Sequence, residues 1–298
     1  MTGKTGIILA LLLGSVAAVQ AQPVDTEREA LQIAAMEALI SAPEERALPL
    51  ARKVLDGNYS TELKARALFV LSQIDMPEAQ EALVAAAKTG EGELREEAVR
   101  MIGINGSAAA LAELGELYRD GDNELREAVL QAYLIADHAD AVYELAVNAG
   151  SAEEFESAVG ILGAMGATEH LARLRDRAGA SEEWIQALAV AGDSATLREL
   201  ALDGSDVGRQ AAAIQALGIV GGDEVEATLL ETYRAAGSDE VREAALQGML
   251  IADYDEGVIE LYRSSNDPAE KKALLEVLVM MDSDAAWDAI DSALGGNE

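Results

Sequence analysis

Apolar residues in this chain recur in short blocks with helical spacing. Leu125, Val129, Ala132 and Tyr133, widened by Leu130 and Leu134, fall on one stripe of an α-helix. A break at Asp137 follows, and Ala141, Val142, Leu145 and Ala146 begin a second stripe that ends at Asn148-Ala149-Gly150. Glycine there predicts a helix stop in the left-handed conformation, and Gly90, Gly121, Gly179, Gly204 and Gly237 are read as comparable stops. Asp122, Ser151, Ser181 and Ser238 follow four of these stops as expected N-caps.

The blocks repeat. Leu63-Lys64-Ala65-Arg66-Ala67-Leu68 returns as Leu94-Arg95-Glu96-Glu97-Ala98-Val99 and as Leu125-Arg126-Glu127-Ala128-Val129-Leu130, each 31 residues after the last. Later versions start near Phe155, Trp184, Val207, Val241 and Ala269, and Glu27 to Ile40 forms a related first helix. The reading is about nine helix-turn-helix units, roughly 26–57, 60–90, 91–121, 122–150, 151–180, 181–204, 205–236, 237–266 and 267–294. A single unit cannot bury its apolar faces, so the units must stack into one all-α solenoid, a superhelix. Residues 125–145 align without gaps to 241–261 with 12 of 21 positions identical, among them Arg126/Arg242, Gln131/Gln247, Ile135/Ile251 and Asp137/Asp253. This implies duplication of a block of about four units. Residues 181–204 make a short unit and Val207 carries two extra residues, so the curvature is expected to change there.

Composition sharpens this picture. Half the residues are hydrophobic but only 4% are aromatic, which suits close helices with small contact residues. The absence of cysteine removes disulfides, thiol nucleophiles and cysteine-based metal sites. Lys4, the apolar run from Ile7 to Ala18 and Val19-Gln20-Ala21 read as a cleavable export signal with cleavage near Ala21-Gln22. The expected product is periplasmic or secreted, not inserted in a membrane. It would carry 21 Lys and Arg against 54 Asp and Glu, a net charge of −33. Such a surface repels nucleic acid and anionic headgroups, leaving another protein, of basic character, as the expected partner.

The repeat resembles the HEAT family, in particular its short lyase-like variety, whose phrase is an acidic residue, Val-Arg, Ala-Ala and Leu-Gly. Ser238-Asp239-Glu240-Val241-Arg242-Glu243-Ala244-Ala245-Leu246 is the closest copy, with Glu93-Leu94-Arg95 to Ile102-Gly103 next. The resemblance implies a non-catalytic scaffold or adaptor with a curved acidic surface in the cell envelope. Because the lyase-like family includes bilin lyases, it also carries a chromophore-handling enzyme as an alternative. The charge supplies a third reading, a divalent-cation-responsive binder.

No catalytic constellation stands out, and no cofactor or metal is implied. His138 and His170, with Asp140 and Glu169, could form a metal site, but two exposed turn residues are the preferred reading in a chain so rich in carboxylates. Asp120-Gly121-Asp122-Asn123-Glu124 opens like a calcium loop, then presents Leu125 and Gln131 where Gly and Glu are required. Two features serve as candidate interaction surface. Tyr118-Arg119, Tyr233-Arg234 and Tyr262-Arg263 end second helices at matching positions and could line a ridge. Arg173, Arg175 and Arg177 form the densest basic spot, with Arg173 and Arg177 expected on one helical face.

Overall fold

A computed structural model describes residues 23–179 and 181–295. The export-signal residues lie outside the described residues. Nineteen α-helices follow one another among the described residues, and no strand occurs there. After α1 (Pro23–Ala38), a 3₁₀ turn (Leu39–Ser41) and α2 (Glu44–Asp56) come the pairs α3 (Thr61–Ser72) and α4 (Pro77–Thr89), then α5 (Glu93–Asn105) and α6 (Ala108–Asp120). They continue with α7 (Asn123–Ile135) and α8 (Ala139–Asn148), then α9 (Ala152–Ala164), whose partner is divided into α10 (Thr168–Arg173) and α11 (Arg175–Ala178). The short pair α12 (Glu182–Ala191) and α13 (Ser194–Leu202) precedes α14 (Val207–Val220) and α15 (Asp223–Ala235). The last pairs are α16 (Asp239–Ile251) with α17 (Asp255–Ser264) and α18 (Pro268–Met281) with α19 (Asp284–Leu294).

Local chemistry explains where these helices begin. The side chains of Ser60, Ser107, Asp122, Ser151, Ser181 and Ser238 each accept the amide three residues on, taking one of the donors that a helix start leaves open. The joints inside the hairpins are closed by left-handed residues: Asp137 (φ 53°), Gly166 (φ 67°), Gly192 (φ 75°), Asp253 (φ 54°) and Asp282 (φ 52°). Past them, the His138 and Tyr254 amides donate back to the Tyr133 and Met249 carbonyls, both at 2.9 Å, which completes the six-to-one bond of a Schellman ending.

The left-handed turns expected between hairpins are therefore mostly elsewhere. Of Gly90, Gly121, Gly150, Gly179, Gly204 and Gly237, only Gly179 has positive φ (58°). At Gly90 the requirement is space, because a Cβ would lie 2.5 Å from the Ala86 carbonyl oxygen.

The fold is an all-α solenoid of two layers. The first helices α1, α3, α5, α7, α9, α12, α14, α16 and α18 pack each on the next. Fully buried Leu63, Leu68, Ile102, Leu125, Leu162 and Trp184 lie in this layer. Small residues bring its helices close: a Cβ on Gly103 would sit 2.7 Å from Ala132 Cα, and one on Gly218 would sit 2.5 Å from the Gly248 carbonyl oxygen. The second helices pack in pairs, α4 with α6, α8 with α10, α13 with α15 and α17 with α19. Cavities of about 580 Å³ each open between α6 and α8 and between α15 and Tyr254 at the start of α17.

In α5 and α7 the recurrent Arg of the first helices ties three units together. Arg126 donates from Nε to the Tyr118 carbonyl at the end of α6 (3.1 Å) and pairs through Nη1 with Glu154 of α9 (3.0 Å). Arg95 does the same one unit earlier, to the Ala87 carbonyl (3.3 Å) and towards Asp122 (3.5 Å). It thus satisfies a helix-end carbonyl behind it while holding a carboxylate ahead.

Candidate functional site

The predicted Tyr-Arg ridge is not an exposed line of aromatics. Tyr118 and Tyr233 are buried, at 5% and 4% exposure, and only Tyr262 is partly open. They lie at second-helix ends where the next unit covers them, which the sequence stripe could not show. Their arginines stay at the surface: Arg119 pairs with Glu116, Arg234 pairs with Glu260 of the next second helix, and Arg263 is exposed. Lys271 rests over the Tyr262 ring at 5.1 Å.

The basic spot is also distributed differently from its expected single face. The indole of Trp184 donates to the Leu171 carbonyl (2.8 Å), the acceptor that Arg175 would use in an unbroken helix, and the helix is interrupted at Leu174. Arg173, Arg175 and Arg177 consequently point to three tasks. Arg173 stacks on Tyr143 (4.0 Å), Arg175 pairs with Glu199 (2.8 Å), and Arg177 donates to the Ala149 carbonyl at the end of α8 (2.7 Å).

The two histidines are partly buried rather than exposed turn residues. His138 meets the Tyr133 ring edge-on at 5.7 Å, and His170 meets Tyr143 at 5.5 Å. His170 Nε2 lies 2.9 Å from Asp140 Oδ1, and that bond, followed by the charge of the imidazole, holds the Asp140 carboxyl below its ordinary range. No group of three or more potential metal-ligating side chains occurs among the described residues. Asp122, read as part of a calcium-like loop, is the cap of α7.

Between the first helices the structure opens two related grooves. One, about 400 Å³, lies between α7 and α9 and is lined by Tyr118, Arg126, Glu127, Gln131 and Glu154. The other, about 670 Å³, lies between α16 and α18 and is lined by Tyr233, Arg242, Glu243, Gln247 and Glu270. These are equivalent positions of the duplicated block. A third groove, about 410 Å³, lies between α5 and α7 with Gln131 and Ile135 on its wall.

Beside these grooves runs a feature the sequence reading missed. From α5 onward, an exposed aliphatic side chain stands two residues before the hairpin joint in six first helices: Ile104 (43% exposed), Ile135 (49%), Val190 (68%), Ile219 (59%), Ile251 (52%) and Met280 (60%). The intervening unit presents the smaller, exposed Ala164 at the same place. Seven successive first helices thus carry an apolar residue at one end of the same face. Its signal was present in the Ile135/Ile251 identity and in the fixed distance to Asp137 and Asp253. Exposed apolar surface repeated in register differs from the scattered apolar residues found on any surface.

Residues 51–133 match the family of HEAT repeats. No curated protein is similar enough in sequence to match the chain. Among solved structures, human deoxyhypusine hydroxylase in complex with glycerol is 18% identical, over 93% of this chain and 94% of that one, with a TM-score of 0.33. The CpcE–CpcF complex of phycocyanin lyase from Nostoc is 20% identical, over 82% and 92%, with a TM-score of 0.33. A Kap121p mutant is 14% identical over 88% of this chain but only 36% of its own, with a TM-score of 0.43.

Proposed function

We propose, starting from the HEAT repeats matched at residues 51–133, that this chain is a non-catalytic interaction scaffold in the cell envelope. The observation that carries the reading is the exposed aliphatic row, which keeps its place through seven consecutive units. Export rests on the N-terminal sequence, with Lys4, the Ile7–Ala18 run and the small-residue site before Gln22. A stack of hairpins offers a long surface whose chemistry repeats at each step, which suits an elongated partner better than a small molecule. The mature charge of −33 favours a cationic one.

The test is cross-linking in intact cells, followed by recovery of the chain from the envelope fraction. A specific partner, recovered at several salt concentrations and competed by the unlabelled chain, is the expected result. Recovery of the chain from the cytoplasm, or no specific partner under any condition, would overturn the proposal.

A further inference from the structure

We infer that the first-helix face takes a cationic amphipathic helix, laid along the stack so that its apolar side chains meet the row from Ile104 to Met280. This deepens the scaffold reading and rests on it.

Spacing selects the shape of the occupant. Packed helices stand about 8–10 Å apart, so the row offers one aliphatic side chain at each such step. An α-helix with an apolar residue at every seventh position advances about 10 Å per repeat and stays in step. An extended strand returns a side chain to the same face about every 7 Å and drifts out of register. A polyproline helix repeats near 9 Å, but it docks on aromatic-lined grooves, and the row is wholly aliphatic.

Charge selects its composition. On one side of the row lie the exposed joint carboxylates of Asp137, Asp253 and Asp282. On the other come the exposed amides of Gln131, Gln186 and Gln247, and a turn beyond them Glu127 and Glu243. Gln215 Nε2 donates to Gln247 Oε1 at 2.5 Å, joining the polar edges of α14 and α16. Lysine or arginine stems on a partner helix can lie over the aliphatic row while their heads reach these carboxylates. A second copy of this chain would bring the same negative charge and repel. Anionic lipid is disfavoured for the same reason. The groove between α5 and α7, walled by Ile135, and the one between α16 and α18, walled by Met280, provide room for larger apolar side chains.

The experiment measures fluorescence anisotropy of a labelled four-heptad synthetic peptide with Leu at one heptad position and Lys on its flanks. Two controls accompany it: the same composition with Leu moved off one face, and the amphipathic peptide with Glu in place of Lys. The expected result is saturable binding of the Lys peptide alone, weakened by salt and accompanied by helix formation in its circular dichroism. Ile135→Ser, Ile219→Ser and Ile251→Ser combined should weaken it about 100-fold, with the variant's own helicity unchanged because these side chains are exposed. Equal binding of the displaced-Leu peptide, or unchanged binding by the triple variant, would overturn the proposal. So would sedimentation showing an oligomer that the triple variant dissolves, since the row would then belong to a second copy. In the envelope cross-linking, capture of one partner equally by wild type and triple variant removes this proposal and leaves the scaffold standing, whereas capture by neither removes the scaffold itself.

Discussion

The α7–α9 groove and the α16–α18 groove descend from one sequence pattern yet are wired differently. In the first, Arg126 reaches across to Glu154 at 3.0 Å and lies 5.8 Å over the Tyr118 ring. In the second, Arg242 turns back to Asp239 at 2.7 Å, and the Tyr233 hydroxyl donates to Glu270 at 2.9 Å instead. The difference traces to one neighbour. Asn123 stands where the second copy has Asp239, so the first copy offers Arg126 no carboxylate at that place and the second offers Arg242 one three residues away. A local ion pair has displaced an inter-repeat one. The tyrosines record the change: burial raises both pKa values, with Glu154 adding to it at Tyr118 against the opposing Arg126, and the hydrogen bond to Glu270 adding to it at Tyr233.

The largest expected effect lies one interface before the grooves, between α14 and α16 and between α5 and α7. The second copy approaches its neighbour at Gly218 and Gly248, where the first has Gly103 and Ala132. Gly218→Val should destabilise the chain by about 3 kcal/mol or more, because its Cβ meets backbone that has no side chain to move aside. Urea denaturation should show it, with hydrogen exchange accelerated first in α14 and α16. Protection there equal to wild type would mean the helices can slide apart.

Next comes the arginine itself. Arg126→Ala removes a helix-end bond and an inter-repeat ion pair and should cost about 1–2 kcal/mol, whereas Arg242→Ala loses an exposed local pair and should cost under about 0.5 kcal/mol. Equal losses in denaturation would show that the two wirings are energetically alike. Asp239→Asn sharpens the point further: in a crystal structure of that variant, Arg242 should swing towards Glu270.

Alkaline pH tests one position of the pair, because Tyr133 occupies the position of Met249, while raised tyrosines occur in both copies, Tyr118 in one and Tyr233 in the other. Tyr133 is buried and donates to the Leu111 carbonyl (3.1 Å), and burial pushes its pKa up to about 12 from 10.0. A raised tyrosine pKa means stability that is complete below pH 10 and lost as pH climbs towards about 12. Near-ultraviolet titration should find this tyrosine ionising late, together with loosening of α6 and α7, and Tyr133→Met should remove that step. Ionisation at the ordinary tyrosine pH without unfolding would contradict the burial argument.

The smallest effect concerns the shared joints. Asp137→Gly or Asp253→Gly relieves a left-handed aspartate and should raise stability by about 0.5 kcal/mol in either copy. Thermal melts that fall instead would assign those side chains a contact beyond backbone conformation.

Much of this architecture was legible in the sequence, whereas the candidate surface was legible only in part. The helix starts at Asp122, Ser151, Ser181 and Ser238 could be read because capping is a contact over three residues. The Tyr-Arg pairs were located at helix ends, yet whether Tyr118 is covered depends on Arg126 and the following unit. The interruption at Leu174 depends on Trp184, which takes a carbonyl thirteen residues away. The aliphatic row was overlooked because Ile135 falls beside the core stripe and looks like its edge; only the placement of the next helix leaves it in solvent.

The hairpin, its period, many of its caps and the acidity could be read from the residues alone, because each is set by neighbours within a few turns or by composition, and the repeated block showed as identity between 125–145 and 241–261. Tertiary structure alone decided which side chains at the helix ends are buried, which acceptor each arginine finds, and that seven exposed apolar positions line up. Those outcomes depend on how closely one unit settles on the next, a distance fixed by Gly103, Gly218 and their opposite residues and not by any single stripe.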